Sequence, residues 1–169
     1  MTSANVIHPV LSTTRFDAPS SQTDDALPTV DLLGVRLHAI TSRQCVSHVF
    51  DMLDRGQGGW IVTPNLDHLR RLTRDASFAN VCLEADLLVP DGMPLIWASR
   101  LQGTPLPQRV AGSDLIWQLS QAAAMHDRRV FLLGGDPGTA DAAADVLRTR
   151  YEGLDIVQPV GRLQDFAGT

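Results

Sequence analysis

Polar residues that could bind a ligand stand in loops that follow predicted strands. In the first of these loops, Thr63, Pro64 and Asn65 come directly after the apolar run Trp60-Ile61-Val62. A hydroxyl and an amide in this position could bind the hydroxyls or the phosphate of a ligand. Asn65 could equally serve only as the N-terminal cap of the next helix, and the spacing leaves both interpretations open.

Asp91 is the candidate for general acid or base chemistry. It lies between Pro90 and Gly92, after the apolar segment 87–89 and before a predicted helix. Apolar surroundings disfavour the charged form of a carboxylate. Such a carboxylate more readily accepts a proton from a substrate, as a general base must. The alternative is a structural role, in which the carboxylate caps the amides of the helix that follows.

Two further segments could bind phosphate. Gly134, Gly135, Pro137 and Gly138 form a predicted turn between a strand and a helix, where backbone amides can approach an anion. Arg109 precedes another predicted helix, and a guanidinium can hold two phosphate oxygens at once. The glycine segment is neither a Walker A loop nor a GxGxxG fingerprint. A plain turn and a solvated arginine are the alternatives.

Strands that alternate with helices position these loops. Apolar runs predict strands at 30–37, 60–63, 87–89, 129–133 and 155–160. Helical periodicity and capping patterns predict helices at 41–55, 65–73, 78–82, 93–101, 139–150 and from a cap at Ser113 or Asp114 to about His126. This alternation predicts an α/β fold, a Rossmann-like parallel sheet flanked by helices. Ligands of such sheets bind at the carboxyl ends of the strands.

The chain divides into an N-terminal extension and one domain. Half of residues 1–28 are Ser, Thr, Pro or Asp, without a sustained apolar period. Such a segment cannot bury enough apolar surface to offset its ordering entropy. We therefore expect residues 1–28 to be a disordered extension and residues 29–169 to form the functional domain.

Charge and composition exclude some classes of partner. The 169-residue chain has a formal net charge of −5, and all 14 of its basic residues are arginines. General nucleic-acid binding requires a basic surface that this balance does not supply, so we expect no nucleic-acid partner. No cluster of His, Cys and carboxylates has metal-ligand spacing, which predicts a metal-independent protein without a cofactor.

The cysteines and the first residues bear on location. Cys45 and Cys82 lie in predicted amphipathic helices without a CxxC pattern, which predicts two buried, reduced thiols. The N-terminus has no basic segment followed by an apolar core, so no signal peptide is predicted. We therefore expect a cytoplasmic protein that could rest on a membrane surface.

Taken in order, four motifs resemble those of the WecG/TagA/CpsF family of glycosyltransferases, which act in bacterial surface-polysaccharide assembly. The resemblance extends from about Val30 to Val157. The motifs are Thr63-Pro64-Asn65-x-Asp67-His68, Pro90-Asp91-Gly92-Met93-Pro94, Arg109-Val110-Ala111-Gly112-Ser113-Asp114 and Phe131-Leu132-Leu133-Gly134-Gly135-x-Pro137-Gly138.

The resemblance implies an inverting transfer of a hexose or N-acetylhexosamine-type sugar from a UDP donor to a saccharide on polyprenyl diphosphate. Asp91 matches the proposed catalytic base, which would deprotonate the acceptor hydroxyl. Arg109 matches a cleft arginine suited to the donor diphosphate, where it would stabilise charge on the leaving UDP. The implied context is exopolysaccharide or cell-surface polysaccharide assembly, with peripheral contact at the inner face of the plasma membrane.

The remaining candidate residues take their roles from the same resemblance. Thr63 and Asn65 match polar residues of the active-site cleft. Gly134, Gly135 and Pro137 match the loop beside the nucleotide. An open sheet edge would also favour a homo-oligomer.

One departure from the family pattern concerns the end of the chain. Family members continue through further βα units, including a Gly-x-Pro-x-Gln-Glu motif and a C-terminal appendage that completes the site and aids membrane association. We therefore expect residues 29–169 to lack the C-terminal part of the family domain. The competing hypothesis is a non-catalytic module that binds a nucleotide sugar or docks on a larger transferase. Such a module needs Arg109 but has no use for a base at Asp91.

Overall fold

The computed structural model describes residues 27–157, which form a mixed α/β structure. The strands are β1 (Thr29–Leu32), β2 (Val35–His38), β3 (Ile61–Val62), β4 (Leu87–Leu88), β5 (Val130–Phe131) and β6 (Ile156–Val157). The helices are α1 (Ser42–Asp54), α2 (Leu66–Leu72), α3 (Ala76–Leu83), α4 (Met93–Leu101), α5 (Gly112–Met125) and α6 (Thr139–Arg150). The predicted α/β class is confirmed.

The first predicted strand is a hairpin. We predicted one strand over 30–37, and this is wrong, because β1 and β2 pair antiparallel with Thr29 opposite His38. Leu33 and Gly34 form the turn with φ angles of 54° and 79°. Glycine adopts a positive φ without steric cost, so Gly34 permits the chain reversal that an uninterrupted strand would not make.

The other strands form two separate parallel pairs. Ile61 of β3 lies opposite Leu87 of β4, and Val130 of β5 lies opposite Ile156 of β6. Each of these strands is only two residues long, and within residues 27–157 no ladder joins the two pairs. One continuous parallel sheet is therefore not seen among the described residues.

Helix starts follow the predicted capping residues at Thr41 of α1 and Asn65 of α2 and depart from them at α5. Thr41 caps α1 in a capping box with Gln44, as the sequence predicts. The predicted cap of α5 at Ser113 or Asp114 is wrong, because Ala111 is the N-cap and gives no side-chain hydrogen bond. Ala111 is 1% exposed, so packing of this residue fixes the start of α5 where capping preference alone would not.

Three groups of buried side chains hold the elements together. The first packs the β1–β2 hairpin against α2, α3 and α4, and it includes Cys82. The second packs β4 against α1 and α5 and includes Cys45. The third packs α1, α5 and α6 around the β5–β6 pair. Both thiols are free and buried, as predicted.

Two predictions fall partly outside residues 27–157. The last predicted strand, 155–160, is observed at Ile156–Val157, and its end lies beyond the described residues. The disordered extension was predicted for 1–28, of which 1–26 are not described. Leu27 packs against the second buried group, and the carbonyl of Pro28 accepts a hydrogen bond from the N–H of Ala39 over 2.7 Å. None of the described helices is long and apolar enough to cross a bilayer.

Candidate functional site

Backbone hydrogen bonds hold the first two candidate loops side by side. The N–H of Val89 donates to the carbonyl of Val62 over 3.0 Å, and the N–H of Asp91 donates to the carbonyl of Pro64 over 2.9 Å. These bonds extend the β3–β4 pairing beyond the assigned strands, in the alternating pattern of a parallel ladder. Asp91 is therefore fixed beside the segment that bears Thr63.

A third loop joins the first two at the same edge. The N–H of Val110 donates to the carbonyl of Pro90 over 2.7 Å. Asp91 is thus bonded to Pro64, and the preceding residue, Pro90, is bonded to Val110, which follows Arg109. Three of the four loops singled out in the sequence converge at the carboxyl ends of β3 and β4, where open sheets bind ligands.

The carboxylate of Asp91 is not engaged in capping. The N-cap of α4 is Gly92, with φ 108°, and no side chain caps that end of the helix. None of the ion pairs between described residues includes Asp91, which is half-buried. The capping role left open by the sequence is therefore not the one observed, and the carboxylate remains available to a ligand.

Asn65 does cap its helix. Its Oδ1 accepts a hydrogen bond from the N–H of His68 over 3.0 Å, and Nδ1 of His68 accepts from the N–H of Asn65 over 3.3 Å. This reciprocal box fixes the orientation of the Asn65 amide. Because Oδ1 is used by the cap and Asn65 is exposed, its NH₂ group is the part suited to contact a ligand oxygen.

Thr63 lies against the first residue of α5. A Cβ atom added at Gly112 would be 3.1 Å from Oγ1 of Thr63, which is closer than an ordinary van der Waals contact. A glycine at position 112 therefore lets the Thr63 hydroxyl sit next to the start of α5. The sequence placed Gly112 in a motif but gave no indication of this contact.

Arg109 forms an ion pair with Asp114. The sequence analysis named Asp114 as a possible helix cap but did not predict this ion pair. Nη2 of Arg109 lies 2.9 Å from Oδ2 of Asp114, and the two side chains are 42% and 52% exposed. Asp114 belongs to the first turn of α5, whose N-cap supplies no side-chain hydrogen bond. The guanidinium is thus held beside the N-terminal turn of that helix. The positive charge of the guanidinium and the positive end of the helix dipole both favour a bound anion.

The glycine loop follows a different strand pair. Gly134, Gly135 and Gly138 have φ angles of 102°, 83° and 85°, and Gly138 is the N-cap of α6. The loop, including Pro137, is exposed, and the predicted order of strand, turn and helix is confirmed. Among the described residues β5 is hydrogen-bonded only to β6, so no ladder connects this loop with the other three.

His38 of β2 accepts a hydrogen bond from β4. The N–H of Leu88 donates to Nδ1 of His38 over 3.0 Å, which links β2 to the strand that leads to Asp91. Burial lowers the pKa of His38 below its ordinary value of 6.5, which favours the neutral ring. A lone histidine at a strand end gave no indication of this role in the sequence.

The described residues contain no group of three or more His, Cys, Asp or Glu side chains placed to hold a metal ion. The candidate residues on the converging loops supply the carboxylate of Asp91, the guanidinium of Arg109, the hydroxyl of Thr63 and the amide of Asn65, and Asp114 adds a second carboxylate paired with Arg109. These groups can accept a proton, bind an anion and orient hydroxyls.

Comparison with known proteins gives a family match over most of the chain. The model of the glycosyl transferase WecG/TagA/CpsF family matches residues 30–163, which include all of the candidate residues. The match covers both strand pairs and the converging loops.

Curated relatives match over a similar range. An N-acetylglucosaminyldiphosphoundecaprenol N-acetyl-beta-D-mannosaminyltransferase of Bacillus spizizenii is 30% identical over 112 residues, which are 66% of this chain and 44% of the relative. A protein of the same name from Staphylococcus aureus is 28% identical over 134 residues, 78% of this chain and 53% of the relative. The chain spans about half the length of these relatives.

Proposed function

The chain belongs to the WecG/TagA/CpsF glycosyltransferase family, and from this premise we propose that it transfers a sugar to a saccharide linked to polyprenyl diphosphate. The proposed donor is a UDP-linked hexose or N-acetylhexosamine-type sugar, and the reaction inverts the anomeric configuration. The proposed role is in exopolysaccharide or other cell-surface polysaccharide assembly. The observation that carries the proposal is the position of Asp91, whose carboxylate caps no helix and whose backbone segment is hydrogen-bonded to both the Pro64 and the Arg109 segments.

In the proposed reaction Asp91 is the general base. Its carboxylate accepts the proton of an acceptor hydroxyl as that oxygen forms a bond to the anomeric carbon of the donor. The bond between the anomeric carbon and the UDP oxygen breaks on the opposite face, and UDP leaves with the bonding electrons. A half-buried carboxylate that is not used by an ion pair can take up this proton.

Arg109 is the proposed clamp for the donor diphosphate. Negative charge grows on the diphosphate as UDP leaves, and a guanidinium placed there stabilises the transition state more than the ground state. The chain has no lysine, so guanidinium groups are its only strongly basic side chains. Metal ions are not required in this proposal, because the arginine supplies the positive charge.

The other candidate residues would orient the substrates. The Thr63 hydroxyl and the Asn65 NH₂ group lie on the loop that is hydrogen-bonded to Asp91, so they suit contacts to sugar hydroxyls. Gly134, Gly135 and Pro137 would border the nucleotide. This role requires the two strand pairs to belong to one Rossmann-like sheet, which we propose because each pair is parallel and flanked by helices.

Peripheral contact with a lipid surface is a further part of the proposal. Helix α4 begins two residues after Asp91 and exposes Met93, Trp97 and Leu101 by 41%, 56% and 90% at a spacing of four residues. The names of the relatives specify an undecaprenol-linked acceptor, whose lipid lies in a membrane. An apolar helix face beside the base suits contact with a lipid surface, which supports our proposal of a cytoplasmic protein at the inner face of the plasma membrane.

A transfer assay tests the proposed function. The purified chain is incubated with UDP-N-acetylmannosamine, UDP-glucose or UDP-N-acetylglucosamine and a short-chain N-acetylglucosaminyl-diphospho-polyprenol in detergent. We expect release of UDP and a disaccharide-lipid product from one donor, with the anomeric configuration inverted by NMR. UDP binding without any product would instead support the non-catalytic module that binds a nucleotide sugar.

A further inference from the structure

Asp114 is an acidic residue placed where an anionic substrate is proposed to bind. It pairs with Arg109 through one bond, from Nη2 to Oδ2 over 2.9 Å. A carboxylate near a diphosphate site would weaken binding by charge repulsion unless it performs a compensating task.

We propose that Asp114 is the positioning residue of the donor site, because it holds the Arg109 guanidinium in the orientation that receives the diphosphate of the nucleotide sugar. This inference rests on the proposed function of Arg109 as the diphosphate clamp. Asp114 itself does not touch the substrate in this arrangement.

The backbone around Arg109 fixes one end of the side chain. The N–H of Val110 is bonded to the carbonyl of Pro90, and Val110 and Ala111 are buried. The Arg109 side chain is nevertheless 42% exposed, so it would sample many rotamers without a partner. A long arginine side chain loses considerable rotamer entropy when a ligand immobilises it. An ion pair formed before binding removes part of that cost.

Among residues 27–157, the single bond to Asp114 leaves most of the guanidinium free. The hydrogen bond to Asp114 uses Nη2 of Arg109 alone, while the guanidinium carries five N–H donors in all. The unused donors can bind two phosphate oxygens while Nη2 stays on Asp114. Asp114 also lies in the first turn of α5, where the helix dipole favours its negative charge with or without Arg109.

The same chain offers a matched ion pair on the other parallel strand pair. Nε of Arg129 lies 3.0 Å from Oδ2 of Asp155, and both side chains are exposed. This pair lies at the amino ends of β5 and β6, whereas the converging loops follow β3 and β4 at their carboxyl ends. Asp155→Ala therefore controls for the general effect of removing a surface ion pair.

A double-mutant cycle on the full chain tests the inference. Affinities for UDP and for uridine are measured by calorimetry with the wild type, Asp114→Ala, Arg109→Ala, the double variant and Asp155→Ala. We expect Asp114→Ala to weaken UDP binding by about threefold to tenfold. In the Arg109→Ala background the same change should not weaken UDP binding further. It should also leave the affinity for uridine, which lacks the diphosphate, unchanged. Asp114→Glu, which keeps the charge, should recover part of the UDP affinity.

The outcomes separate this inference from the proposed function. If Asp114→Ala binds UDP as tightly as the wild type, or more tightly, while Arg109→Ala weakens it, only the positioning role is overturned. If Arg109→Ala leaves UDP affinity unchanged, or the folded wild type binds no UDP, the donor clamp fails and the role of Asp114 is overturned with it. If Asp114→Ala weakens UDP and uridine equally, with a lower unfolding temperature, its role is structural and the inference is also overturned.

Discussion

The amide N–H of Asp91 donates to the carbonyl oxygen of Pro64 over 2.9 Å, which fixes the candidate base beside the loop that carries Thr63 and Asn65. This bond continues the parallel pairing of β3 and β4 past the last assigned residue of each strand. The backbone position of the base is thus set by the sheet. Its carboxylate is not needed to hold the loop in place.

The close approach of Gly112 to Thr63 predicts the effect of a methyl group. We expect Gly112→Ala to displace the Thr63 hydroxyl, because the new Cβ would lie 3.1 Å from Oγ1. Displacement of an orienting group by a few tenths of an ångström to 1 Å should slow transfer by about tenfold to a hundredfold. Transfer rate and thermal unfolding are measured together.

Gly58→Ala is the matched control for this substitution, since nothing lies within 4 Å of a Cβ at that position. The double variant Thr63→Ala/Gly112→Ala should be no slower than Thr63→Ala alone. Equal rates for Gly112→Ala and the wild type would show that the Thr63 position is unimportant for transfer.

The burial of His38 predicts a loss of stability in mild acid. Because the pKa of His38 is lowered in the folded chain, the unfolded chain binds the proton more readily. The stabilisation that the neutral His38 provides is therefore complete above pH 6.5, its ordinary pKa. This stabilisation is lost as the pH falls through the lower pKa of His38 in the folded chain. Thermal unfolding from pH 7.5 to about pH 5 should show this decline.

His38→Asn should flatten that decline, because the Asn Oδ1 can accept the Leu88 N–H bond but does not titrate. His126→Asn, a change at an exposed histidine, serves as the control. An unchanged slope in His38→Asn would assign the acid sensitivity to other groups.

Both thiols are expected to react slowly in the folded protein. Burial raises the pKa of Cys45 to about 11 and also raises the pKa of Cys82. Thiolates are the reactive species, so little of either thiol is reactive at pH 8. Titration with a disulfide reagent should detect two thiols at once in guanidinium chloride and both only slowly in buffer. Fast reaction of either thiol in buffer would contradict the buried positions.

The exposed face of α4 predicts lipid binding. Trp97→Ser/Leu101→Ser should reduce co-sedimentation with vesicles of phosphatidylglycerol and phosphatidylethanolamine by about tenfold or more, because two apolar side chains would no longer enter the lipid. Leu83→Ser on α3, where the leucine is also exposed, is the control. Equal sedimentation of all variants would argue against a lipid contact of α4.

The sequence predicted the local features of the site better than the tertiary ones. The segment Trp60–Asn65 could be assigned as a strand, a break and a cap because each step depends on neighbouring residues, and the Asn65 cap is confirmed. The start of α5 was missed because burial of Ala111 overrides the better caps at Ser113 and Asp114. The hairpin at Leu33 and Gly34 was missed because residues 30–37, which are rich in Val and Leu, conceal a turn that only a positive φ permits.

Contacts between distant segments could not be predicted from one sequence. The sequence predicted that the loops of Thr63, Asp91 and Gly134 follow strands at a shared sheet edge. The structure joins the first two of these loops and adds the Arg109 segment, whose place at that edge the sequence did not predict. The Gly112–Thr63 approach and the Leu88–His38 bond depend on how elements 49 or 50 residues apart pack, which no local pattern encodes. The glycine loop had a clear local pattern, yet its pattern did not determine which strand pair it would border.

The role of Asp91 as the base is the central claim, and one pair of measurements on Asp91→Asn tests it most directly. Transfer to the lipid-linked acceptor and UDP affinity are measured with the wild type, Asp91→Asn and Asp51→Asn, the last being the same change at an exposed position on α1. We expect Asp91→Asn to lower the transfer rate by about a hundredfold to ten-thousandfold and to leave UDP affinity unchanged. Transfer by Asp91→Asn at the rate of the wild type would contradict the assignment of the base.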